Sequence, residues 1–276
     1  MTESNRGKLN RLERLLPEGL LADSAWMNSH DYSTSLRSQY VTAGWLKHPA
    51  GLVYRRGQSP LTWQQVVVSL QTLLEKDLII GGRSALQLQG FAHFVPMAET
   101  SRVYLYGPQS PPRWLDKLPL GIEFAYRNSQ RLFAHPAGVT KTLPPDASTP
   151  QSGFREHTRE GGLASQSWEG SSLVHSSAER ALLELLGELP NGDSFHEVDM
   201  VVEGLANLSP RRLENLLLDC RSVKVKRLFF FFADRHQHAW LKHINRSLIG
   251  IGKGKRMIVR GGRFDTAHQI TVPEDL

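Results

Sequence analysis

The sequence has one cysteine and no long hydrophobic run, and each absence excludes a class of protein. Because Cys220 is the only cysteine, neither an internal disulfide nor a cysteine-based zinc site can form. The longest apolar runs, such as residues 228–233, fall well short of the ~18 residues that a membrane span needs, and the polar start does not resemble a signal peptide. We therefore expect a cytoplasmic protein, with Cys220 buried in a helix rather than reactive.

The usual signatures of enzymes are also missing. No lysine has an acidic residue two positions before it, as one class of nuclease requires, and there is no Gly-x-Ser-x-Gly motif. The turn at residues 81–84 has the Gly-Gly-x-Ser order of nucleotidyltransferases, but the strand after it carries Arg102 and Tyr104 where those enzymes place magnesium-binding carboxylates. Three histidines between residues 236 and 243 lack an acid or cysteine that would complete a metal site. The sequence predicts no catalytic residue, no metal and no cofactor.

The first 60 residues show the pattern of a small helical module followed by a hairpin. Leucines recur at helical spacing from residue 9 to residue 16, and a second short helix covers residues 23–28. Ser33 is a good N-cap for a third helix that reaches Thr42. Two short strands follow, around a turn at residues 49–51. Three helices and a hairpin in this order are typical of a winged helix-turn-helix.

The third helix would be the recognition helix of such a module. We expect its polar side to face outward, with Arg37 contacting guanine, Gln39 contacting adenine, and the hairpin contacting backbone phosphates. A module of this kind can instead pack proteins together, and this alternative stays open. The candidate DNA-binding residues are Ser33, Thr34, Ser35, Arg37, Ser38, Gln39, Lys47, Tyr54, Arg55 and Arg56.

The composition and the rest of the chain predict a two-domain protein of the α+β class. Hydrophobic residues make up 40% of the 276 residues, which is typical of globular chains, and this length fits two domains of roughly 100 to 200 residues each. We predict a winged-helix domain with trailing helices over residues 1–94 and a larger mixed α/β domain over residues 95–276. The elements predicted after the hairpin are a helix capped by Thr62, strands at 103–105 and 122–126, a long loop at 135–172, a helix with a Ser176–Glu179 capping box, a helix beginning at Pro210, and a helix in preference to a strand at 223–233.

Positive charge is concentrated near the C-terminus. Residues 221–263 hold 12 Lys or Arg and one acid, Asp234, so this segment carries +11 in a chain of net charge +6. Such clusters attract polyanions, although a solvated surface is the alternative. The Gly-Lys run at residues 250–256 is one residue too short for a Walker A loop and is either a phosphate site or a basic turn. The candidate phosphate or nucleic-acid contacts are Lys224, Lys226, Arg227, Lys253, Lys255 and Arg256.

Taken together, these segments resemble the AbiEi-type antitoxins of type IV toxin-antitoxin systems. The resemblance extends from residue 9 to residue 273, with residues 135–172 unmatched. Its N-terminal part comprises Tyr40, Val41, Gly44, Trp45, Leu46, Val53, Tyr54, Arg55, Arg56, Gly57, Thr62, Trp63 and the run from Gly81 to Gly90. Its C-terminal part comprises Ser177, Glu179, Arg180, Ala181, residues 223–231, Gly252, Gly254, Lys255, Arg256, Gly261, Gly262, Arg263 and residues 270–273.

The resemblance implies a repressor that binds inverted repeats in double-stranded DNA before its own operon. It implies that the second domain neutralises a nucleotidyltransferase toxin encoded by the adjacent gene, without necessarily binding that toxin. Two protomers would load on the DNA. The protein would be a monomer in solution or a dimer on DNA. The alternatives are an orphan winged-helix regulator without a toxin and, in a third class, a degenerate nucleotide-transferring enzyme.

Overall fold

The computed structural model describes residues 3–91, 101–135, 139, 161–168 and 170–276. A helical module with a three-stranded sheet precedes a five-stranded sheet and a group of four helices. The first elements are α1 (Glu3–Leu15), β1 (Leu21–Asp23), α2 (Ser24–Ser29), α3 (Thr34–Thr42), β2 (Lys47–Ala50), β3 (Val53–Arg55), α4 (Trp63–Thr72), β4 (Ile79–Ile80) and α5 (Gly82–Leu88). The later elements are β5 (Ser101–Gly107), β6 (Ile122–Asn128), β7 (Leu163–Trp168), β8 (Ser171–Ser176), α6 (Ala178–Glu188), α7 (Phe195–Gly204), α8 (Pro210–Asp219), α9 (Val223–His236), β9 (Arg263–Asp265) and β10 (Ile270–Val272).

Polar caps fix where the helices of the first module begin. Asp23 accepts a hydrogen bond from the amide of Trp26 at the start of α2, and Ser33 accepts one from the amide of Leu36 at the start of α3. Thr62 and the third residue of α4 form a complete capping box. These side chains satisfy amides that the first turn of a helix leaves without partners. The helices predicted at these positions are confirmed.

The module's sheet holds a strand that the sequence analysis did not predict. Strand β1 pairs antiparallel with β3, which also pairs with β2, so the strand order is β1-β3-β2. Ala22 of β1 lies opposite Tyr54 of β3. The hairpin is therefore anchored to the segment that joins α1 to α2, which gives a complete winged helix-turn-helix.

The larger sheet takes its central strand, β4, from the first part of the chain, residues 3–91. Its other four strands come from the second part, which begins at residue 101. Its strand order is β6-β5-β4-β8-β7, with β5 and β6 parallel and β4 parallel to β8. Gln71 of α4 spans the two parts, because its side chain donates to the carbonyl of Val174 and accepts from the amide of the same residue. The predicted boundary at residue 94 lies outside the described residues, and β4, on its N-terminal side, belongs to the sheet of the later segment.

The structure corrects two expectations about the later segment and adds one helix. Part of the predicted loop at 135–172 forms the antiparallel pair β7 and β8, while residues 136–138, 140–160 and 169 lie outside the described residues. The N-cap of α6 is Ser177 rather than Ser176, whose hydroxyl instead donates to Glu184. Helix α7 was not predicted. The strand and helix predictions for residues 103–105, 122–126 and 223–233 are confirmed. Cys220 is buried as predicted, but it follows the end of α8 in an extended conformation instead of lying in a helix.

The helical group of the second part packs through α9, whose apolar side chains are buried. One core cluster contains residues of both parts, from Leu9 to Val272. Within the described ranges, no helix has both the length and the apolar character needed to cross a membrane.

Candidate nucleic-acid interface

Helix α3 has two faces that differ in burial. Successive residues of an α-helix are rotated by ~100°, so residues three and four apart share a face. Ser35, Ser38, Gln39 and Thr42 have this spacing, and all four are exposed. Leu36, on the other side, is buried in the module. We call these four exposed residues the reading face. The other two candidate residues at the start of the helix, Ser33 and Thr34, are also exposed.

Arg37 lies on the buried side of the helix, contrary to the prediction that it points outward. Only 3% of its surface is exposed. Its Nη1 donates to the carbonyl of Ser24 (3.1 Å) and its Nη2 donates to Thr34 Oγ1 (2.8 Å). Its guanidinium carbon lies 5.2 Å from the centre of the Tyr54 ring. Arg37 therefore joins α2, α3 and the hairpin, and a guanine contact does not fit this arrangement.

The two arginines of the hairpin are also engaged inside the module. Arg55 is 3% exposed, and burial lowers its pKa. Arg56 Nη1 donates to the carbonyls of Glu13 (2.9 Å) and Leu16 (3.0 Å), which are among the acceptors that the end of α1 leaves unpaired. Arg56 holds the hairpin against α1, and Arg55 is buried, so the expectation that they project toward phosphates is not met by this conformation.

The other two hairpin candidates are only partly accessible. Lys47 is half-buried, and its Nζ donates to the carbonyl of Gln58 (2.9 Å). Tyr54 is buried, and its ring stacks on the exposed imidazole of His48 with 5.0 Å between ring centres. The groups that the hairpin exposes are therefore His48 and the tip residue Leu52, which is 65% exposed.

Sequence reasoning missed two cations that lie beside the recognition helix. Lys8 Nζ donates to the carbonyl of Asp31 (3.3 Å), and Arg11 Nη1 lies 3.8 Å from the carboxylate of the same residue. Asp31 stands in the turn just before α3. The hydroxyl of Tyr32 donates to the carbonyl of Lys8 and fixes this packing. Only tertiary packing brings α1 to this place, so no local pattern could have revealed it.

The comparisons with known proteins bear on both parts of the chain. A family model described as "Transcriptional regulator, AbiEi antitoxin, Type IV TA system" matches residues 100–273, and a model for the AbiEi antitoxin N-terminal domain matches residues 5–97. The chain belongs to this family. The descriptions of both models name a transcriptional regulator and an antitoxin.

A solved structure shares the fold of this AbiEi-family chain. The crystal structure of the RV2827C protein from Mycobacterium tuberculosis matches with a TM-score of 0.54 at 12% sequence identity, covering 98% of this chain and 92% of the other. At this identity the likeness shows the fold alone. None of the curated proteins searched matches the sequence.

The six candidate cations of the second part separate into two groups. Lys224 donates to the carbonyls of Gly187 and Leu189 at the end of α6, both at 2.7 Å, and burial lowers its pKa. Lys226 and Arg227 are buried on α9. Lys224 and Arg227 bond backbone carbonyls of this AbiEi-family protein and Lys226 is buried, contrary to the expectation that these three cations contact phosphate. The other three, Lys253, Lys255 and Arg256, are exposed.

The histidines near the end of α9 are bound to acceptors of their own. His236 Nε2 lies 2.7 Å from a carboxylate oxygen of Asp199, and His238 Nε2 lies 2.8 Å from the carbonyl of Val202. Among the described residues, no group of three or more His, Cys, Asp and Glu could hold a metal ion. These contacts join α7 to the end of α9.

The Gly-Gly turn before α5 is built into the second part. The amide of Gly82 donates to the buried carboxylate of Glu184 (2.9 Å). Arg83 forms ion pairs with Asp193 and Glu197. The turn thus connects α5 to α6 and α7, as expected for a structural turn.

Proposed function

We propose that the chain is a winged-helix repressor of its own operon that reads an inverted repeat in duplex DNA with helix α3. The observation that supports this most directly is the reading face, a row of exposed hydroxyl and carboxamide groups on a helix held from behind by Arg37. In the major groove, the carboxamide oxygen and nitrogen of a glutamine can both form hydrogen bonds with adenine. Serine hydroxyls can donate or accept hydrogen bonds. As a regulator of its operon, the protein acts in the cytoplasm.

In this proposal, phosphate contacts surround the reading face instead of coming from Arg55, which is buried, or from Arg56, which bonds the end of α1. Arg11 and Lys8 lie at the turn that leads into α3, and Lys47 lies at the base of the hairpin. Contacts to phosphate fix the register of a protein on DNA without reading sequence. One protomer would occupy each half of the inverted repeat, so two protomers assemble on DNA.

The toxin that this antitoxin opposes is, in our proposal, a nucleotidyltransferase encoded by the adjacent gene. Membership of a type IV antitoxin family supports an antagonist role. The segment that carries it is the second part of the chain, since the module at the N-terminus is occupied with DNA. Direct binding to the toxin is not required.

DNA binding is tested by fluorescence anisotropy with a duplex that carries the upstream inverted repeat and with a scrambled duplex. We expect salt-sensitive binding that is stronger for the repeat. Ser38→Ala together with Gln39→Ala should weaken operator binding by about tenfold or more, since a good base contact contributes ~1–3 kcal/mol, and should leave the scrambled duplex unaffected. Gln87→Ala with Ser110→Ala, at exposed positions elsewhere, is the matched control. Equal wild-type affinity for both duplexes would overturn the proposal.

The antitoxin role is tested by co-expression with the adjacent nucleotidyltransferase gene, with growth as the readout. We expect the wild-type chain and the Ser38→Ala, Gln39→Ala variant to restore growth equally. An adjacent toxin that stays lethal in the presence of the chain, or the lack of such a gene, would leave the orphan-regulator alternative.

A further inference from the structure

The Gly-Lys run folds around a buried arginine. Arg227 of α9 is 2% exposed, and its guanidinium donates to four backbone carbonyls. Three of them belong to the run, namely Ile251 (2.8 Å), Gly252 (3.2 Å) and Gly254 (2.6 Å). The fourth is the carbonyl of Gln269, at 3.0 Å, just before β10. Residues 251–256, which we call the Gly-Lys loop, are therefore held in one conformation by Arg227.

This arrangement fixes where the amides of the loop point. In a trans peptide the N–H and the C=O are antiparallel, so a carbonyl directed at Arg227 turns the next amide away from it. The amides of Gly252, Lys253 and Lys255 follow the three bonded carbonyls and therefore point away from Arg227. In the described part of the chain, none of these three amides donates to a backbone or side-chain acceptor. The loop thus presents three unpaired backbone donors on its outer side.

Two glycines make this geometry feasible. Gly252 has φ +67° and Gly254 has φ +78°, in the left-handed region that other residues rarely adopt. Successive backbone amides in a turn can form a concave row that binds anions.

The side chains around the loop carry the same sign of charge. Lys253, Lys255 and Arg256 are exposed, and no acid occurs between residues 235 and 264. The nearby Arg246 is different, because Asp234 pairs with it. Lys255 Nζ lies 5.0 Å from the centre of the Phe264 ring, which leaves its donors accessible to solvent. Three outward amides and three exposed cations on one short loop form a site for the oxygens of a phosphate group.

We propose that the Gly-Lys loop binds the phosphate backbone of duplex DNA that flanks the operator half-site. This deepens the proposed function, on which it rests, by giving the second part of the chain a sequence-independent contact. Backbone amides and flexible cations recognise phosphate and do not distinguish bases. The loop therefore adds affinity and salt dependence, while α3 supplies specificity.

The test measures the salt dependence of DNA binding by the full-length protein. Each phosphate neutralised by a cation contributes ~0.9 to the slope of log K against log salt concentration. Lys253→Ala, Lys255→Ala and Arg256→Ala in one variant should reduce this slope by about 2 to 3 and leave the ratio of operator to scrambled affinity unchanged. The matched control removes three exposed cations elsewhere, Arg113→Ala, Lys117→Ala and Arg131→Ala.

A slope equal to that of the wild type, or a decrease equal to that of the control, would overturn the proposal. Loss of growth rescue by the loop variant with an unchanged slope would assign the loop to a protein partner instead, next to the exposed side chains of Ile251 and Met257. If the wild type binds both duplexes equally, the operator proposal fails, but the slope still tests the loop.

A second variant separates the amides from the charges. At Gly254 a Cβ would meet nothing within 4 Å, but the left-handed backbone disfavours alanine. Gly254→Ala should weaken DNA binding several-fold at unchanged net charge, with an unchanged circular dichroism spectrum. Wild-type affinity in this variant would exclude the amides from the site.

Discussion

Arg37 and Gln39 are two residues apart in α3, and their side chains lie on opposite sides of the helix. At ~100° per residue, Arg37 falls on the side of Leu36 and Tyr40, both buried, whereas Gln39 falls next to Ser35 on the exposed side. Helical spacing alone therefore contains the information that Arg37 faces inward. The preference for arginine as a guanine contact was a weaker guide than the geometry of the helix.

This difference leads to a first prediction. Arg37→Met should lower the free energy of unfolding by about 1–3 kcal/mol, because the carbonyl of Ser24 loses its donor. DNA affinity should then fall by the same factor for every operator variant. Thermal unfolding and binding to operators with single base changes measure both effects. Unchanged stability combined with relaxed discrimination at one guanine would restore Arg37 as a base contact.

Glu179 is a buried carboxylate whose charge is stabilised by its partners. It accepts hydrogen bonds from the amide of Ser209 (2.9 Å), from Arg212 (2.8 Å) and from the hydroxyl of Ser177 (2.8 Å). Burial opposes the charge and would raise the pKa of Glu179, but these donors outweigh burial and lower the pKa below its ordinary value of 4.5. A lowered folded-state pKa contributes stability above pH 4.5 that is lost as the pH falls through the folded-state value.

The second prediction follows from this sign. Glu179→Gln should lower the free energy of unfolding by about 1–3 kcal/mol at pH 7, and the deficit relative to the wild type should shrink as the pH falls below 4.5. Urea unfolding at several pH values measures this. Glu203→Gln, at an exposed position, is the control and should behave as the wild type. A deficit that does not change with pH would contradict the assignment.

At the scale of elements, local polar signals predicted helix starts well, although the N-cap of α6 is Ser177 and not Ser176. Ser33 and Thr62 marked helix starts that the structure confirms. The same kind of signal was present for α7, where Ser194 and Glu197 form a capping box that the sequence analysis did not use. Strand β1 could not be found this way, because it has three residues and depends on pairing with β3, about thirty residues later.

Arg227 of α9, around which the Gly-Lys loop folds, gives the third prediction. Arg227→Leu removes the donors of four carbonyls and should raise the rate of amide hydrogen exchange in residues 250–256, with little change in α7. DNA binding should weaken several-fold, as in Gly254→Ala, although the loop's own cations remain. Arg235→Leu, at an exposed position on the same helix, is the control. Unchanged exchange in the loop would show that Arg227 does not hold it.

At the scale of the whole molecule, the two family-model segments share one core. Gln71 of α4 bonds both Leu78 and Val174, and β4 lies between β5 and β8. Division of the chain near residue 94 would leave β4 without either neighbour. Composition and length indicated two domains, but the pairing of β4 with strands from the later segment is non-local, and no pattern within residues 79–80 predicts it.

The fourth prediction is that the full chain unfolds in a single transition. Helix content and tryptophan fluorescence should change at the same temperature, because the core is continuous from Leu9 to Val272. Gln71→Leu should lower that temperature for both probes together. Two separate midpoints in the wild type, or a stably folded fragment 1–94, would show that the segments are independent.

The division of labour within α3 has a consequence for how such a protein diversifies. The residues that hold the helix and those that would meet the bases lie on different sides, so Ser35, Ser38 and Gln39 can be exchanged without disturbing the packing that Arg37 secures. New operator preferences are then accessible through single substitutions at nearly constant fold stability. Lineages that carry related toxins side by side could separate their regulatory circuits by changing three solvent-facing side chains.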